Sequence, residues 1–354
     1  MRIRQNLLIV LISTVSSCLY SIASHAQTQG QASTMQKLYQ EAKVKYLRYE
    51  KEHGAFINTK NTRMHYLSWG NSNKPTLIWV HGSLTNGYEF MEIAETLAQQ
   101  GFQVIAIDYY GHGQTPIPKH PVSLYHIADD IKELMDALKI KKAVIGGWSR
   151  GGAVSTAFYD EYPERVSGLI LEDGGSVSIN TDYHLMNNSK LDSTVKNIVK
   201  SIPKDTVYQS EFDAYKAIYD SEVGGIQFQN LAWIARSKEG AYAICPGVME
   251  LFNMHSESGW LNNILRPTLS PLFAESFSIL EPKIVFRNLK VPMLILDPVI
   301  SDDFMKFEKA NQELRSLHPK LIEHKIYQNT GHNIHYERKK EFTADVIRFL
   351  NKAK

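Results

Sequence analysis

A serine flanked by glycines is the strongest chemical motif in the sequence. The segment reads Gly147-Trp148-Ser149-Arg150-Gly151 and a further glycine follows it directly. It comes after an apolar run at 143–145 that predicts a buried strand, and before a helix-like segment at 152–162. Glycines on both sides allow strand and helix to approach closely, and the tight turn lifts the hydroxyl above the sheet. We therefore predict that Ser149 is a nucleophile.

Three further motifs stand in the order found in a known family. They read Val80-His81-Gly82-Ser83, Asp108-Tyr109-Tyr110-Gly111-His112-Gly113-Gln114-Thr115 and Gly331-His332. Together with the serine turn they resemble the α/β-hydrolase-fold serine hydrolases, over about residues 55–350. The resemblance implies an α/β fold with a mainly parallel, doubly wound sheet, and a catalytic triad of serine, histidine and an acid.

A serine hydroxyl is a weak nucleophile until a base takes its proton, and thirteen histidines are available. His332 follows the β-type run 324–327 and precedes a terminal helix-like segment, 341–350. In the family this position faces the serine, so we predict His332 as the general base and His335 as the second choice. His81 is expected to make structural hydrogen bonds. Three histidines in or after the loop that follows the fourth family strand are expected to be solvated: His112, His120 and His126.

The acid of such a triad orients the imidazole and stabilises its charged form. The family order places it between nucleophile and base, usually just after the seventh strand, where this sequence reads Asp-Pro-Val-Ile-Ser-Asp-Asp-Phe at 297–304. Asp297 and Pro298 replace the glycine that usually follows this strand in the family, and the spacing from strand to acid is one residue longer than in the family. Asp302 is the predicted acid because Phe304 follows two positions later, as in relatives. Two positions remain as alternatives, the next residue and the end of the sixth strand: Asp303 and Asp173.

The negative charge that develops on the carbonyl oxygen needs two backbone N–H donors, and the loss of one typically slows the reaction ~10²–10³-fold. The resemblance implies the N–H groups of Ser83 and Arg150, one from each loop. The Arg150 side chain is expected to pair with a nearby carboxylate at the surface. Contact with an anionic group of the substrate is the alternative.

Continuous apolar runs identify the strands that position these groups. With helix-like segments between the earlier runs, they predict a parallel sheet covered by helices on both faces. The apolar runs are 76–80, 104–107, 143–145, 169–171 and 293–296. The alternation stops between residues 174 and 289, where the chain is helix-rich. We predict an N-terminal helical extension, a core in two parts and a helical lid inserted after strand six: 27–54, 55–175 with 289–354, and 176–288.

The first 26 residues have the pattern of an export signal. Two arginines precede an apolar run, and the segment ends Ser24-His25-Ala26, which is typical of a signal peptide cleaved after the alanine. This predicts a periplasmic or secreted protein with no membrane span after processing. Val15-Ser16-Ser17-Cys18 resembles the bacterial lipobox, so a lipoprotein anchored through Cys18 is the alternative. Cleavage after the alanine leaves Cys245 alone, which excludes an intrachain disulfide.

Charge and motif content exclude several functional classes. The chain has 39 Lys+Arg against 37 Asp+Glu, and the two arginines of the export segment account for the whole excess. A nucleic-acid partner is not expected, because it would need a dominant basic patch. The sequence has neither a His-Glu-x-x-His pair nor cysteines and histidines at zinc spacing, so neither a metal nor another cofactor is predicted.

The predicted reaction is two-step acyl transfer on a small-molecule substrate. Ser149 attacks an ester or lactone with a largely apolar acyl or aromatic part, an acyl-enzyme forms, and His332 activates the water that releases the acid. Relatives with the same triad include C–C bond hydrolases, thioesterases and iminopeptidases, which the fold alone does not separate. Haloalkane dehalogenases and epoxide hydrolases carry aspartate at the position of this serine, so these two activities are disfavoured. A ligand-binding or sensor protein on the same fold is the remaining alternative.

Overall fold

The structure is a computed structural model that describes residues 25–202, 206–236, 240–300 and 306–353. The lipobox and most of the predicted export segment lie outside these residues. The strands in chain order are β1 (Gly54–Asn58), β2 (Arg63–Trp69), β3 (Thr76–Val80), β4 (Gln103–Ile107), β5 (Ala143–Trp148), β6 (Val166–Glu172), β7 (Val207–Tyr208), β8 (Ile234–Arg236), β9 (Tyr242–Ile244), β10 (Met293–Val299) and β11 (Ile322–Gln328).

The α-helices in chain order are α1 (His25–His53), α2 (Met91–Gln99), α3 (Leu124–Ala137), α4 (Arg150–Glu161), α5 (Thr181–His184), α6 (Asn188–Ser201), α7 (Glu211–Ile218), α8 (Val248–Leu251), α9 (Glu257–Leu265), α10 (Leu272–Ile279), α11 (Pro282–Val285), α12 (Glu308–Leu317), α13 (Ile334–Glu337) and α14 (Lys339–Lys352). Short 3₁₀ helices cover Gly87–Phe90, Pro163–Arg165, Phe228–Trp233, Pro267–Leu269 and Phe286–Asn288. In the described part of the chain, no helix is both long enough and apolar enough to cross a bilayer.

Eight of the described strands form one sheet in the order β1-β2-β4-β3-β5-β6-β10-β11. The pairs β1–β2 and β2–β4 are antiparallel, and the remaining pairs are parallel. All residues of β3, β4 and β5 are buried, as the continuous apolar runs predicted for strands covered on both faces. Val144 and Ile145 belong to different hydrophobic clusters, so the sheet separates two cores. The predicted mainly parallel α/β fold is confirmed.

The segment between β6 and β10 is mostly helical, and four of its described helices directly follow a residue whose side-chain oxygen accepts a backbone N–H: Asn187, Ser210, Ser256 and Glu281. It also contains a three-stranded antiparallel sheet in the order β7-β9-β8, which the sequence did not predict. These strands are only two or three residues long, too short to show a pattern. Tyr39 of α1 donates to Glu211 of this segment over 2.6 Å. The N-terminal helix therefore packs against the inserted segment.

The carboxyl ends of three parallel strands, β5, β6 and β11, bring the candidate catalytic residues to one edge of the sheet. Ser149 directly follows β5, Asp173 directly follows β6, and His332 lies in the loop after β11. In open α/β sheets, ligands bind in the crevice outside the carboxyl ends of the strands. The topology thus places all three residues where a binding site is expected.

Candidate active site

Ser149 occupies a strained turn between β5 and α4. Its backbone has φ 55° and ψ −123°, which a residue with a Cβ rarely adopts. Two hydrogen bonds hold the turn: the Ser149 N–H donates to the Glu172 carbonyl over 2.8 Å, and the Gly152 N–H donates to the Ser149 carbonyl over 3.0 Å. Such strain persists only where the surrounding structure enforces it.

Glycine at two positions makes this turn possible because the backbone segments on either side approach too closely for a Cβ. A Cβ at Gly147 would overlap the backbone of Gly151, and a Cβ at Gly151 would overlap the carbonyl oxygen of Val80 in β3. The helix therefore starts in direct contact with the strand that precedes it and with the neighbouring strand. This confirms the close approach that the glycine pattern predicted.

Asp173 is the carboxylate that contacts His332. Its Oδ2 lies 2.5 Å from His332 Nδ1, and the Asp173 side chain is only 3% exposed, whereas that of His332 is 24% exposed. Asp173 also has φ 44°, a second strained position beside the serine turn. Asp302, which the sequence favoured, and its neighbour Asp303 lie outside the described residues. Of the three candidate acids, the structure describes Asp173, and it brings that residue to the histidine.

Trp148 links the nucleophile turn to the histidine loop. Its indole N–H donates to the His332 carbonyl oxygen over 2.8 Å, and the two rings lie 5.0 Å apart at their centroids. Because Trp148 immediately precedes Ser149 in the chain, this contact fixes the position of the histidine loop relative to the serine. A second contact holds the loop from below, where the Gly331 N–H donates to a Glu337 side-chain oxygen over 3.1 Å.

His335, the second choice as base, has a different partner. Its Nδ1 lies 2.8 Å from Glu172 Oε1, its backbone N–H donates to the same oxygen over 2.9 Å, and both side chains are fully buried. Burial alone would lower the pKa of His335, but the Glu172 carboxylate outweighs it and raises that pKa. The sequence analysis missed this pair. Its only trace in the sequence is two adjacent acids after an apolar run, matched by two histidines three residues apart.

His81 confirms the structural role predicted for it. Its Nδ1 lies 2.6 Å from the Gly82 carbonyl oxygen, its Nε2 lies 3.3 Å from the Tyr109 N–H, and its ring stacks on Tyr109 at 4.2 Å. Burial lowers the pKa of His81 to about 4, so the ring is neutral: Nδ1 donates to the carbonyl and Nε2 accepts the N–H. The histidine thereby fixes the loop that carries Ser83.

The prediction that His112 is solvated is wrong, because the side chain is completely buried. Its Nδ1 lies 2.8 Å from the Tyr110 carbonyl oxygen, and its Nε2 accepts the Leu84 N–H over 3.3 Å. Burial holds the pKa of His112 well below its usual value. This neutral histidine therefore joins the loop after β4 to the loop of Ser83. His120 is exposed and His126 is partly exposed.

The loop after β4 has a structural role that its aspartate explains. Asp108 Oδ2 lies 2.6 Å from His65 Nδ1, and Asp108 Oδ1 accepts the Gly87 N–H over 2.7 Å. Glu50 approaches the other ring nitrogen of His65 at 3.1 Å. Burial alone would lower the pKa of His65, but the Asp108 and Glu50 carboxylates raise it to about 9. A buried charge pair thus connects β2 to the loop after β4, and the hydrogen bond from Gly87 connects that loop to the segment after β3.

Arg150 differs from its prediction. Among the described residues it pairs with no carboxylate; its Nη1 donates to Ser83 Oγ over 3.0 Å and approaches Met254 Sδ at 3.2 Å. The guanidinium carbon lies 4.2 Å from the centroid of the Phe252 ring and 5.8 Å from that of Phe277. The partner predicted from sequence was a surface carboxylate, but residues of the inserted segment enclose the side chain and take that place.

Two cavities adjoin the serine turn on either side. One of about 40 Å³ is lined by Ser149, Arg150 and Asp173 together with apolar side chains, among them Phe277 and Leu280. A larger one of about 180 Å³ includes Trp148 in its lining and shares no lining residue with the first. Within the described residues, no three His, Cys, Asp or Glu side chains come together as a metal site would require. The smaller cavity is the candidate reaction site because Ser149 and Asp173 line it.

Comparison with known proteins places these features in a wider group. The family model described as alpha/beta hydrolase fold matches residues 75–339. Epoxide hydrolase 1 of Caenorhabditis elegans is 30% identical over 117 residues, 32% of this chain and 29% of that protein. Epoxide hydrolase 4 of Mus musculus is 27% identical over 175 residues, 48% of each chain. These matches span less than half the length of either relative.

Solved structures resemble the chain over most of its length. The N-acyl homoserine lactone degrading enzyme Est816 superposes with a TM-score of 0.57 and is 20% identical; the match covers 83% of this chain and all of that one. At this identity the likeness concerns the fold.

Proposed function

The chain belongs to the alpha/beta hydrolase fold family, and from this premise we propose that it is a serine hydrolase of esters or lactones. Ser149 is the nucleophile, His332 the general base and Asp173 the acid. The observation that carries the proposal is the 2.5 Å contact between Asp173 and His332, beside a serine in a strained turn. An acid that orients a histidine near a strained serine is the arrangement that acyl transfer requires.

The proposed reaction has two steps that share one set of groups. Ser149 Oγ attacks the carbonyl carbon while His332 takes its proton, and Asp173 stabilises the imidazolium that forms. The backbone N–H groups of Ser83 and Arg150 bind the oxyanion of the tetrahedral intermediate. His332 then protonates the departing alkoxide. In the second step the histidine takes a proton from water, which attacks the acyl-enzyme and releases the acid.

The chemistry of serine favours this reaction over the one that the names of the curated relatives indicate. A carboxylate that opens an epoxide leaves an ester on the enzyme, and water can hydrolyse that ester. Ser149 would instead form an ether with the opened epoxide, and water does not cleave an ether at neutral pH. A carbonyl substrate avoids this difficulty because an acyl-serine is itself an ester. We therefore infer that the scissile bond is an ester or lactone bond.

The cavity at Ser149 favours a small acyl group. Its volume of about 40 Å³ and its apolar side chains leave room for a short chain rather than a long lipid tail. Phe277 and Leu280 of the inserted segment, together with Val177, form much of this apolar wall. Substrate size would accordingly be set by the segment between β6 and β10, which acts as a lid in this proposal.

Hydrolysis of p-nitrophenyl acetate tests the proposal, with a fluorophosphonate probe as a second measurement. We expect the wild-type chain to release nitrophenol and to carry the probe on Ser149, and the Ser149→Ala variant to do neither. Activity that is equal in Ser149→Ala would exclude this serine as the nucleophile. A folded chain that neither reacts with the probe nor turns over would favour a ligand-binding or sensor protein.

We further propose that the chain is exported and that its mature form begins at Gln27. The support is the pattern of the first 26 residues, two arginines followed by an apolar run and a small-residue cleavage site. Intact-mass analysis of protein recovered from the periplasm or medium tests this. A mature chain that begins at a lipid-modified Cys18 would contradict the proposed cleavage and favour membrane anchoring.

A further inference from the structure

The Arg150 guanidinium carries a positive charge that no carboxylate balances among the described residues. Burial lowers the pKa of Arg150, yet an arginine side chain keeps its proton in proteins. Removing an unpaired charge from water is costly, and buried charges are normally paired. A buried arginine without a carboxylate partner among the described residues, directly beside the proposed nucleophile, therefore indicates a group whose charge is balanced by a bound ligand.

The contacts of Arg150 hold its planar group in one orientation and leave part of it free. Nη1 is used by Ser83 Oγ and by Met254 Sδ, and the Phe252 ring covers one face of the guanidinium at 4.2 Å. Nε is buried with no hydrogen-bond partner, and Nη2 donates to no residue in the described part of the chain. A fixed guanidinium with unused donors is already arranged to bind a planar anion.

Arg150 lines the small cavity together with the proposed nucleophile, and its guanidinium carbon lies 5.8 Å from the ring centroid of Phe277, which also lines it. Among the residues that the structure describes, the cavity lining contains one basic residue, Arg150, and one acidic residue, Asp173, whose carboxylate already contacts His332. Apolar side chains and glycines make up most of the remaining lining. A monoanion would balance the single positive charge, whereas a phosphate dianion would leave negative charge in an apolar cavity.

We propose that Arg150 binds a carboxylate of the substrate, so that the substrate class is a small ester or lactone that carries a second, ionised carboxyl group. This inference rests on the proposed hydrolase function and adds the substrate class to it. The substrate carboxylate accepts hydrogen bonds from the N–H groups of Arg150 that have no partner among the described residues. The short apolar chain between the carboxylate and the ester lies along the apolar wall formed by Phe277, Leu280 and Val177.

A matched pair of esters tests the inference by comparing charge at constant shape. Monomethyl succinate and methyl isocaproate have the same chain length, but an isopropyl group replaces the carboxylate in the second ester. We expect wild-type kcat/KM, followed by methanol release, to be at least about tenfold higher for monomethyl succinate. A wild-type preference of one or below would overturn the inference without any variant.

Two substitutions of Arg150 then assign the preference to the guanidinium. We expect Arg150→Met to lower the ratio of the two kcat/KM values by about tenfold or more, and Arg150→Lys to lower it less, because lysine keeps the charge but loses the planar donor set. Arg165→Met is the matched control: it removes a guanidinium that pairs with Asp136 over 2.8 Å outside the cavity, and it should leave the ratio unchanged.

A purely structural role for Arg150 would give a different result. If the arginine acts only by holding Ser83, then Arg150→Met and Ser83→Ala would slow both esters equally and leave the ratio unchanged, which would overturn the inference. Turnover of the neutral ester by the wild-type chain would still support the proposed hydrolase function in that case. Absence of turnover of both esters together with absence of probe labelling would instead count against the hydrolase itself.

Discussion

Replacement of Asp173 by asparagine removes one charge from the proposed triad at almost constant shape. The carboxylate Oδ2 lies 2.5 Å from His332 Nδ1, so it accepts the Nδ1 proton and directs the second ring nitrogen away from the acid as a free base. In Asp173→Asn the amide can present N–H to Nδ1 instead. The imidazole then carries its proton on Nε2 and has no lone pair with which to take the serine proton.

The expected loss follows from the charge and from the tautomer. Opposite unit charges about 4 Å apart attract by about 4 kcal/mol at an effective dielectric constant of about 20, and this attraction forms only when the histidine becomes protonated in the transition state. That amount corresponds to about 10³-fold in rate, and an unfavourable tautomer raises the loss towards about 10⁴-fold. We therefore expect kcat for p-nitrophenyl acetate to fall about 10³–10⁴-fold, and fluorophosphonate labelling to slow in parallel.

The chain offers a closely matched control for this experiment. Asp297 is likewise buried, with a side chain 1% exposed, and its Oδ2 lies 2.7 Å from His324 Nε2 and accepts Asn311 Nδ2–H over 3.0 Å. Asp297→Asn should lower the unfolding temperature while kcat stays within about threefold of wild type, because this pair belongs to neither cavity lining. The control separates loss of a buried acid from loss of the catalytic acid.

Asp302→Asn completes the set. Under our reasoning its kcat stays within about tenfold of wild type. If Asp302→Asn lost activity about 10³-fold while Asp173→Asn stayed within about tenfold, the acid predicted from sequence would be correct and the argument from the Asp173–His332 contact would be refuted.

Three other predictions concern the supports of the site. Trp148→Phe removes the indole donor to the His332 carbonyl, and we expect kcat to fall about tenfold with little change in KM; an unchanged kcat would show that this hydrogen bond does not position the base. Gly151→Ala forces a methyl group against the Val80 carbonyl, so thermal denaturation should show a loss of about 2–4 kcal/mol, and wild-type stability would contradict the packing. The raised pKa of His65, about 9 against 6.5, stabilises the fold fully below pH 6.5, and this contribution is lost as pH rises through about 9. The difference in unfolding free energy between wild type and His65→Gln, from urea titrations, should shrink by about 3 kcal/mol over that interval; a constant difference would contradict the charge pair.

Local patterns predicted the strands and the tight turn at Ser149 because those features depend on neighbouring residues. The apolar run at 76–80 matches β3 residue for residue, and glycines around Ser149 indicate a turn that only glycine permits. The acid could not be chosen in this way, since the contact between Asp173 and His332 joins residues far apart in sequence. Family spacing favoured Asp302 instead, and this stays a prediction because residues 301–305 lie outside the described part of the chain.

Long-range packing explains why two predictions, for His112 and for Arg150, differ from the structure. His112 looked solvated because its loop is polar, yet the Leu84 N–H and the Tyr110 carbonyl enclose its ring. The surroundings of Arg150 depend on Phe252 and other residues of the inserted segment, and no local pattern shows which residues of that segment reach the site.

The two acids at the end of β6 give the site a mechanical property. Glu172 contacts His335 in α13 and Asp173 contacts His332 in the loop before it, so two adjacent acids hold one chain segment at a fully buried point and at a partly exposed one. Because the two histidines are only three residues apart, a displacement of this segment would disturb both contacts. In the proposed mechanism His332 therefore needs little reorganisation energy to reach its working position, because its placement is completed when the chain folds and does not recur in each turnover. If the proposed mechanism is correct, we expect the motions that admit substrate or release product to occur in the inserted segment.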